Sequence, residues 1–569
     1  MTPTLRRDVA VIFVIGLIVN GLAARFISQP GYMDAYYYFG GAVQLARGAG
    51  FTEPYLWNYL DPVARLPHPS HLYWMPFTSL VAAPFIAFAK RFSGATLPNA
   101  ILFRAAQIPF VLLAALLPIL AYAVAMLTTQ LRRHALTAAL LMLFSGFYLI
   151  FWTNTETFAL YGLTAGGALL AGALGADRQS WRWLFLAGVS AGLAHLTRAD
   201  GVFVLFVILF IVFWHQMTKP SHNSPPSTLH PPLSTPRPFI LHPAKRSFIL
   251  LIFGYLLIML PWFIRNLMVM GAPLAPGATR TLWLTNYDDL FNYPSAALTL
   301  ARYFSVGWGT ILEGKWQAFL TNSGTLVGAQ GLVVCFPFIL IGLWKLRRQP
   351  LYLTVILYGL LLFGLMTLVF TFPGARGGLF HSGAALLPFF FPAALVGLDA
   401  SVDAVARRLP HWQPEKSKPI FGALLAAFAA ALTLIIFQIR VIGPDWRHPL
   451  SAQANQVYEE IGNWLTNQGE AQAIVAAGNP PGFYYFTGYQ SIVIPNGDVN
   501  DLLQVMPPFR ARWVVLEFNH PQGLGNLYAS PLTEPRLILR ATFKDNAGQP
   551  VYLFELLQTS DFGLRTLDF

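Results

Sequence analysis

Eleven long apolar runs divide the first 440 residues, near 8–27, 105–127, 135–152, 158–175, 183–197, 201–215, 248–264, 325–344, 351–371, 384–399 and 419–440. A helix needs about 20 mostly apolar residues to cross a bilayer, and somewhat fewer when flanking side chains snorkel. The runs predict an all-α polytopic membrane bundle of about 11 transmembrane helices. The pair at 183–197 and 201–215 is short and also fits one broken hairpin. Composition agrees, with only 11% charged residues against roughly 25% in a soluble domain. The formal charge of +12 does not mark a nucleic-acid surface, because the lysines and arginines fall in short clusters between apolar runs. The single cysteine, Cys335, lies inside "LVVCFPFIL", which excludes an intramolecular disulfide framework or a cysteine metal site.

Those basic clusters also set an orientation, since short cytoplasmic loops carry the excess of Lys and Arg. Arg6 and Arg7 place the N-terminus in the cytoplasm, and alternation then puts "LRRH" (131–134), "ADRQSWR" (176–182), "KLRRQ" (345–349) and "ARRLPHWQPEKSK" (406–418) on the same side. Counting residues 76–89 as a further span would reverse every later cluster, so this short run with Pro76 and Pro84 reads as an interfacial helix within a first outer loop at 28–104. The first run also has the form of a signal peptide, but no clear small-residue cleavage site follows it, which favours a retained anchor. The expected location is the cell membrane, with multiple passes.

Two stretches break the pattern. Residues 216–247 are rich in Pro and Ser and read as a flexible cytoplasmic linker inside a transmembrane unit of 1–444. Residues 445–569 combine a helical segment, "ANQVYEEIGNWLTNQG", with short apolar strands at "AQAIVAAG", "SIVIP" and "ARWVVLEF". They predict a small extracytoplasmic α/β domain. No internal repeat is evident, which disfavours transporters built from repeated halves.

With this topology the unusual polar residues gather at the outer ends of different helices. Asp34 follows the first span; Glu156, in "FWTNTETFAL", occupies a tight turn; Arg198 and Asp200, in "HLTRADG", cap a hairpin; Arg265 ends the seventh span; Arg376 and His381 sit in "GARGGLFHSG". Helix ends tolerate snorkelling charge, so no one residue decides the matter, but the convergence points to a site. Guanidinium holds phosphate bidentately, which makes Arg198, Arg265 and Arg376 candidates for a donor phosphate, with His381 beside them. A carboxylate in reach of an acceptor can take its proton, which singles out Asp34 and Glu156. Tyr36, Tyr37 and His71 are candidate substrate contacts. The structural alternative for Asp34 is a helix N-cap. Glu53, Asp61, Asp288 and Asp289 read as ordinary loop acids, and His68 with His71 is weak evidence for zinc, which needs three or four ligands.

Taken in order, "MDAYYYFGGAVQLARGAGF", "HPSHLYWMPF" (68–77), "TNTETFALYG" (153–162), "LTRADG" (196–201), "PWFIRNLMVMGAPLAP" (261–276) and "GNPPGFYYFTGYQ" (478–490) resemble the C-type glycosyltransferase superfamily, in its protein O-mannosyltransferase and lipid A aminoarabinose transferase branch. The resemblance implies inverting transfer of one sugar from a polyprenyl-phosphate donor to a lipid, glycan or protein acceptor on the outer face. Asp34 matches the first-loop acid and Glu156 the second acidic position. In some relatives such acids hold a divalent cation and in others none is needed. Here Ala35 stands where many relatives carry a second acid, which weakens a paired-carboxylate metal site in that loop. The competing class is a polytopic transporter or lipid flippase, which would require polar or unwound segments near mid-membrane.

Overall fold

The computed structural model describes residues 3–61, 63–93, 97–218, 243–409 and 411–557. Most of the expected linker, and the last 12 residues of the α/β domain, lie outside the described residues. Among those described, eight helices are long and apolar enough to cross a membrane: Pro3–Phe26, Asn99–Thr129, Thr157–Arg178, Ala199–Thr218, Arg246–Met270, Pro350–Val369, Leu387–Ala406 and Pro414–Ile442. Each coincides with one of the eleven apolar runs. The other three runs form shorter or interrupted helices. The run at 135–152 breaks into Arg132–Leu143 and Tyr148–Phe151 at Gly146, which adopts a positive φ of 66°. The run at 325–344 passes from a π-turn, through Leu332 and Val333 at positive φ, to Phe336–Leu346. Trp181–Thr197 is a 17-residue helix.

Close helix contacts come from small residues rather than from interlocking large ones. A Cβ on Gly342 would overlap the Ala393 carbonyl, and one on Gly397 would overlap the Phe338 carbonyl. The 336–346 and 387–406 helices therefore touch backbone to backbone. Gly188 and Gly254 do the same for the 181–197 and 243–270 helices. Without a hydrophobic drive between helices in lipid, such small-residue contact is what holds them together.

The described residues between the first two long helices are folded. Helix Met33–Ala46 packs against Phe77–Ser93, a 17-residue helix containing Pro84 that is not among the candidate spans. Between them Thr52–Glu53 pairs with His68–Pro69, while Tyr55–Leu56 leaves the loop and joins the distant sheet. That six-stranded sheet runs Tyr55–Leu56, Gln490–Val493, Ile474–Ala477, Trp513–Leu516, Pro550–Leu556, Leu537–Lys544, the first four parallel and the last two antiparallel. The three parallel strands at 474–516 match the sequence reading, and the terminal hairpin is an addition to it. The sheet is thus shared between the C-terminal region and the first loop. Its helix Pro480–Thr487 lies on the 33–46 helix, with Tyr485 against Tyr36 at 5.0 Å between ring centroids and Phe39 at 5.4 Å. The chain end thereby braces the helix that carries Asp34.

Candidate active site

Two loops that are far apart in sequence are stitched together by backbone acceptors. Asn154 donates its side-chain amide to the Pro30 carbonyl at 2.8 Å, and Thr155 Oγ1 donates to the Ala35 carbonyl at 2.9 Å. These bonds set the turn before Thr157–Arg178 directly against the start of the 33–46 helix, and so bring Glu156 to Asp34. Asp34 is the second residue of its helix, whose N-cap is Tyr32. It is therefore not the cap. Its charge is still favoured in the first turn by the helix dipole, and 30% of its side chain remains open to solvent.

Glu156 is the N-cap of the next helix. Its Oε1 accepts from the Thr157 amide at 2.6 Å and from Thr157 Oγ1 at 2.7 Å, while Oε2 is buried with no partner among the described residues. His381, in the short Gly378–Ser382 helix, completes a group of three: one donor atom from each of Asp34, Glu156 and His381 lies within 4.8 Å of the others. His381 Nδ1 donates to the Gly377 carbonyl at 3.1 Å, and its ring stacks on Phe158 at 4.5 Å. Nε2 is then left with a lone pair, 3.8 Å from Asp34 Oδ2.

Burial dominates the electrostatics. It pushes the Asp34 carboxyl above its ordinary range, with Arg198 pulling the other way. Burial and the nearby Asp34 charge push Glu156 up as well. Burial, reinforced by Arg198, holds His381 down to about 3, so the imidazole is neutral. Two acids this close do not both ionise readily, and the more deeply buried Glu156 is the natural holder of the shared proton. The geometry also changes the role expected for His381: a neutral ring facing the acids with a lone pair suits a carboxylic proton or a cation, and has no hydrogen to offer a phosphate oxygen.

A cavity of about 220 Å³ opens from Asp34 and His381 toward Arg198, Arg376 and a wall of aromatic side chains. Arg198 ends the 181–197 helix and is fixed through Nε, which donates to Asp200 Oδ1 at 3.1 Å and to Ser382 Oγ at 2.9 Å; Ser382 in turn donates to Asp200 Oδ2 at 2.6 Å. Arg376 donates to Asp288 at 3.0 Å and lies over the Tyr287 ring. The cavity also has an apolar side at Phe203, Met366 and Phe370.

Not every residue expected at the site reaches it. Arg265 donates to the Ser70 carbonyl at 2.7 Å and sits over Trp262, where it supports the first loop outside the cavity. His71 is bonded to Ser70 and Ser79, and Tyr37 accepts from the His71 amide, so both belong to the loop's interior. Tyr36 faces the C-terminal region. The tyrosine that lines the cavity is Tyr38, four residues after Asp34 and hence on the same helix face. Trp57, Tyr73, Trp74 and Tyr287 join it. Helical spacing from Asp34 picks out Tyr38 from sequence; nothing local picks out the other four. Asp289 has the structural role expected of it, accepting from Thr285 and Arg302, whereas Asp288 anchors Arg376. Glu53 pairs with His68 at 3.1 Å, and Asp61 accepts from the Gly277 amide.

Residues 82–228 match the family of dolichyl-phosphate-mannose-protein mannosyltransferases. This match supports the C-type glycosyltransferase superfamily. The matched segment holds Glu156 and Arg198, while Asp34, Arg376 and His381 lie outside it. Comparison with curated proteins gives no match. Together with the apolar helices, the family supports a multi-pass membrane glycosyltransferase.

Proposed function

We propose that the chain transfers a sugar from a polyprenyl-phosphate donor to an acceptor hydroxyl or amine at the outer face of the membrane, with inversion. The observation that carries this reading is the meeting of Asp34, backed by the buried Glu156, with two arginines at one cavity that has both an aromatic wall and an apolar side. Asp34, the more open acid, accepts the acceptor's proton as its oxygen or nitrogen bonds to the anomeric carbon. The bond from that carbon to the phosphate oxygen breaks on the opposite face of the sugar, and its electron pair leaves with the polyprenyl phosphate. Arg198 and Arg376 bind the departing phosphate, and charge-assisted bonds of this kind contribute about 1.5–3 kcal/mol each. Glu156 keeps its proton and limits the negative charge around Asp34. Tyr38 and Tyr287 offer faces to the sugar, and the Phe203–Met366–Phe370 side admits the lipid.

Asp34, Glu156 and His381 also fit a divalent cation, since two carboxylates and a neutral imidazole converge there and Glu156 Oε2 has no other partner among the described residues. Such an ion would supply positive charge at the phosphate and offset the two acids. The test is incubation of the purified protein with a synthetic polyprenyl-phosphate sugar and hydroxylated or amine acceptors. Release of polyprenyl phosphate with a glycosylated product is expected. Movement of intact lipid across proteoliposomes without release would favour the flippase reading instead.

A further inference from the structure

A second cavity, of about 470 Å³, lies at the opposite end of the bundle, among the Arg132–Leu143, Leu387–Ala406 and Pro414–Phe437 helices. That end is fixed by Asp8, at the start of the first helix, which accepts from Arg132 at 2.7 and 2.8 Å; Asp34 follows the end of the same helix. The volume falls within the range of about 300–1,000 Å³ common to small-ligand sites. Its walls are apolar, with Gly422, Ala423 and Ala426 on one side and Leu140, Phe144 and Leu395 on the other. Neighbouring Leu424 and Phe428 face outward, as positions touching lipid would.

The mouth has a different chemistry. Arg133 binds both oxygens of Asp399, and Lys418 binds Asp403 at 2.8 Å. Nε of Arg133 has no partner among the described residues, and an ammonium has three hydrogens to give. Two helices begin here, at Arg132 and Pro414, with no side-chain hydrogen bond at either N-cap, so their amides add positive potential. Arg407 and Arg408 follow the third helix. His134 is 3% exposed, and its Nε2 lies 3.0 Å from Asp399 Oδ2. An ionised carboxylate only accepts, so Nε2 carries the hydrogen, and in the neutral imidazole Nδ1 is then a lone pair. That Nδ1 is buried with no partner among the described residues, a condition that normally signals a missing donor.

We propose that this groove binds a phospholipid of the adjacent leaflet whose anionic headgroup also carries a hydroxyl, as in phosphatidylglycerol. One acyl chain lies along the Gly422–Ala426 wall, the phosphate meets Arg133 and Lys418, and the headgroup hydroxyl donates to His134 Nδ1. Basic pockets between membrane helices are suited to such headgroups. The test is native mass spectrometry of the full chain exchanged into detergent containing equal dioleoyl phosphatidylglycerol and dioleoyl phosphatidylcholine. About tenfold preferential retention of phosphatidylglycerol is expected, with no displacement by millimolar inorganic phosphate. Ala426→Trp, which fills the groove, and Lys418→Gln, which removes a charge, should each lower retention several-fold. Lys418 lies near the start of its helix, away from the groove's apolar wall, so Lys418→Gln carries the test if Ala426→Trp does not fold. Equal retention of the two lipids, displacement by phosphate alone, or unchanged retention in the folded variants would overturn the proposal.

Discussion

Replacing Glu156 separates its two possible states. Its Oε1 caps the 157–178 helix through two short hydrogen bonds, while Oε2 is buried without a partner among the described residues. Glu156→Gln keeps the carbonyl oxygen for both Thr157 bonds and places an NH₂ where a carboxylic proton would sit, facing Asp34 and the His381 lone pair. Glu156→Ala removes the cap and should cost about 0.5–2 kcal/mol for that alone. The pH dependence follows from the raised proton affinity. The native carboxyl holds its proton more tightly than the unfolded one, so its contribution is fully present below the ordinary value of 4.5 and is lost as pH rises through the raised native value. Wild type should therefore lose melting temperature across that window, and Glu156→Gln should lose less. Catalytically, a residue that only holds a proton is replaceable by Gln, so transfer should fall by much less than the roughly 10²–10⁴-fold typical of a lost acid or base. The assays are thermal unfolding in detergent from pH 5 to 9 and sugar transfer at neutral pH. Loss of transfer by more than about 10³-fold, with unchanged stability, would refute the protonated state and point to an ionised Glu156 holding a cation.

Other outcomes follow from the same geometry. Arg198→Lys should lower kcat/KM for the lipid donor by roughly 10- to 100-fold, matching about 1.5–3 kcal/mol, because Lys lacks the Nε that ties Arg198 to Asp200 and Ser382 and the planar fork that binds phosphate. Tyr485→Ala should destabilise the fold by about 3 kcal/mol or more, as large aromatic truncations do, read as a lowered melting temperature, and should slow transfer with it, since Tyr485 braces the helix of Asp34. In a Cys335→Ser background, an impermeant thiol reagent on intact cells should label Asn467→Cys and not Lys416→Cys; the reverse pattern would invert the topology.

Much of this organisation is readable in the chain because membrane spans are long and locally encoded. Asp34, Glu156, Arg198 and Arg376 stand out because polar residues at the ends of apolar runs are few. What is not readable depends on contacts between distant segments. Tyr36 and Tyr37 look equivalent to Tyr38 until the helix phase sends them to Tyr485, to the first-loop core and to the cavity respectively. Arg265 resembles a phosphate ligand until the Ser70 carbonyl takes its guanidinium. The two-residue strand Tyr55–Leu56 has no periodicity of its own, and only its partner at 490–493 makes it part of a sheet. Runs at 135–152 and 325–344 are apolar throughout, and their breaks come from backbone conformations at Gly146, Leu332 and Val333 that hydropathy does not register.

The mechanism rests on Asp34 as the proton acceptor, and Asp34→Asn tests it most directly. Asn has nearly the same shape and suits the first turn of a helix, so folding should be unchanged, but it cannot take a proton. Purified Asp34→Asn protein, compared with wild type in single-turnover release of polyprenyl phosphate at saturating donor, should be slower by roughly 10²-fold or more with donor binding retained. Transfer at the wild-type rate by a folded Asp34→Asn protein would contradict the mechanism.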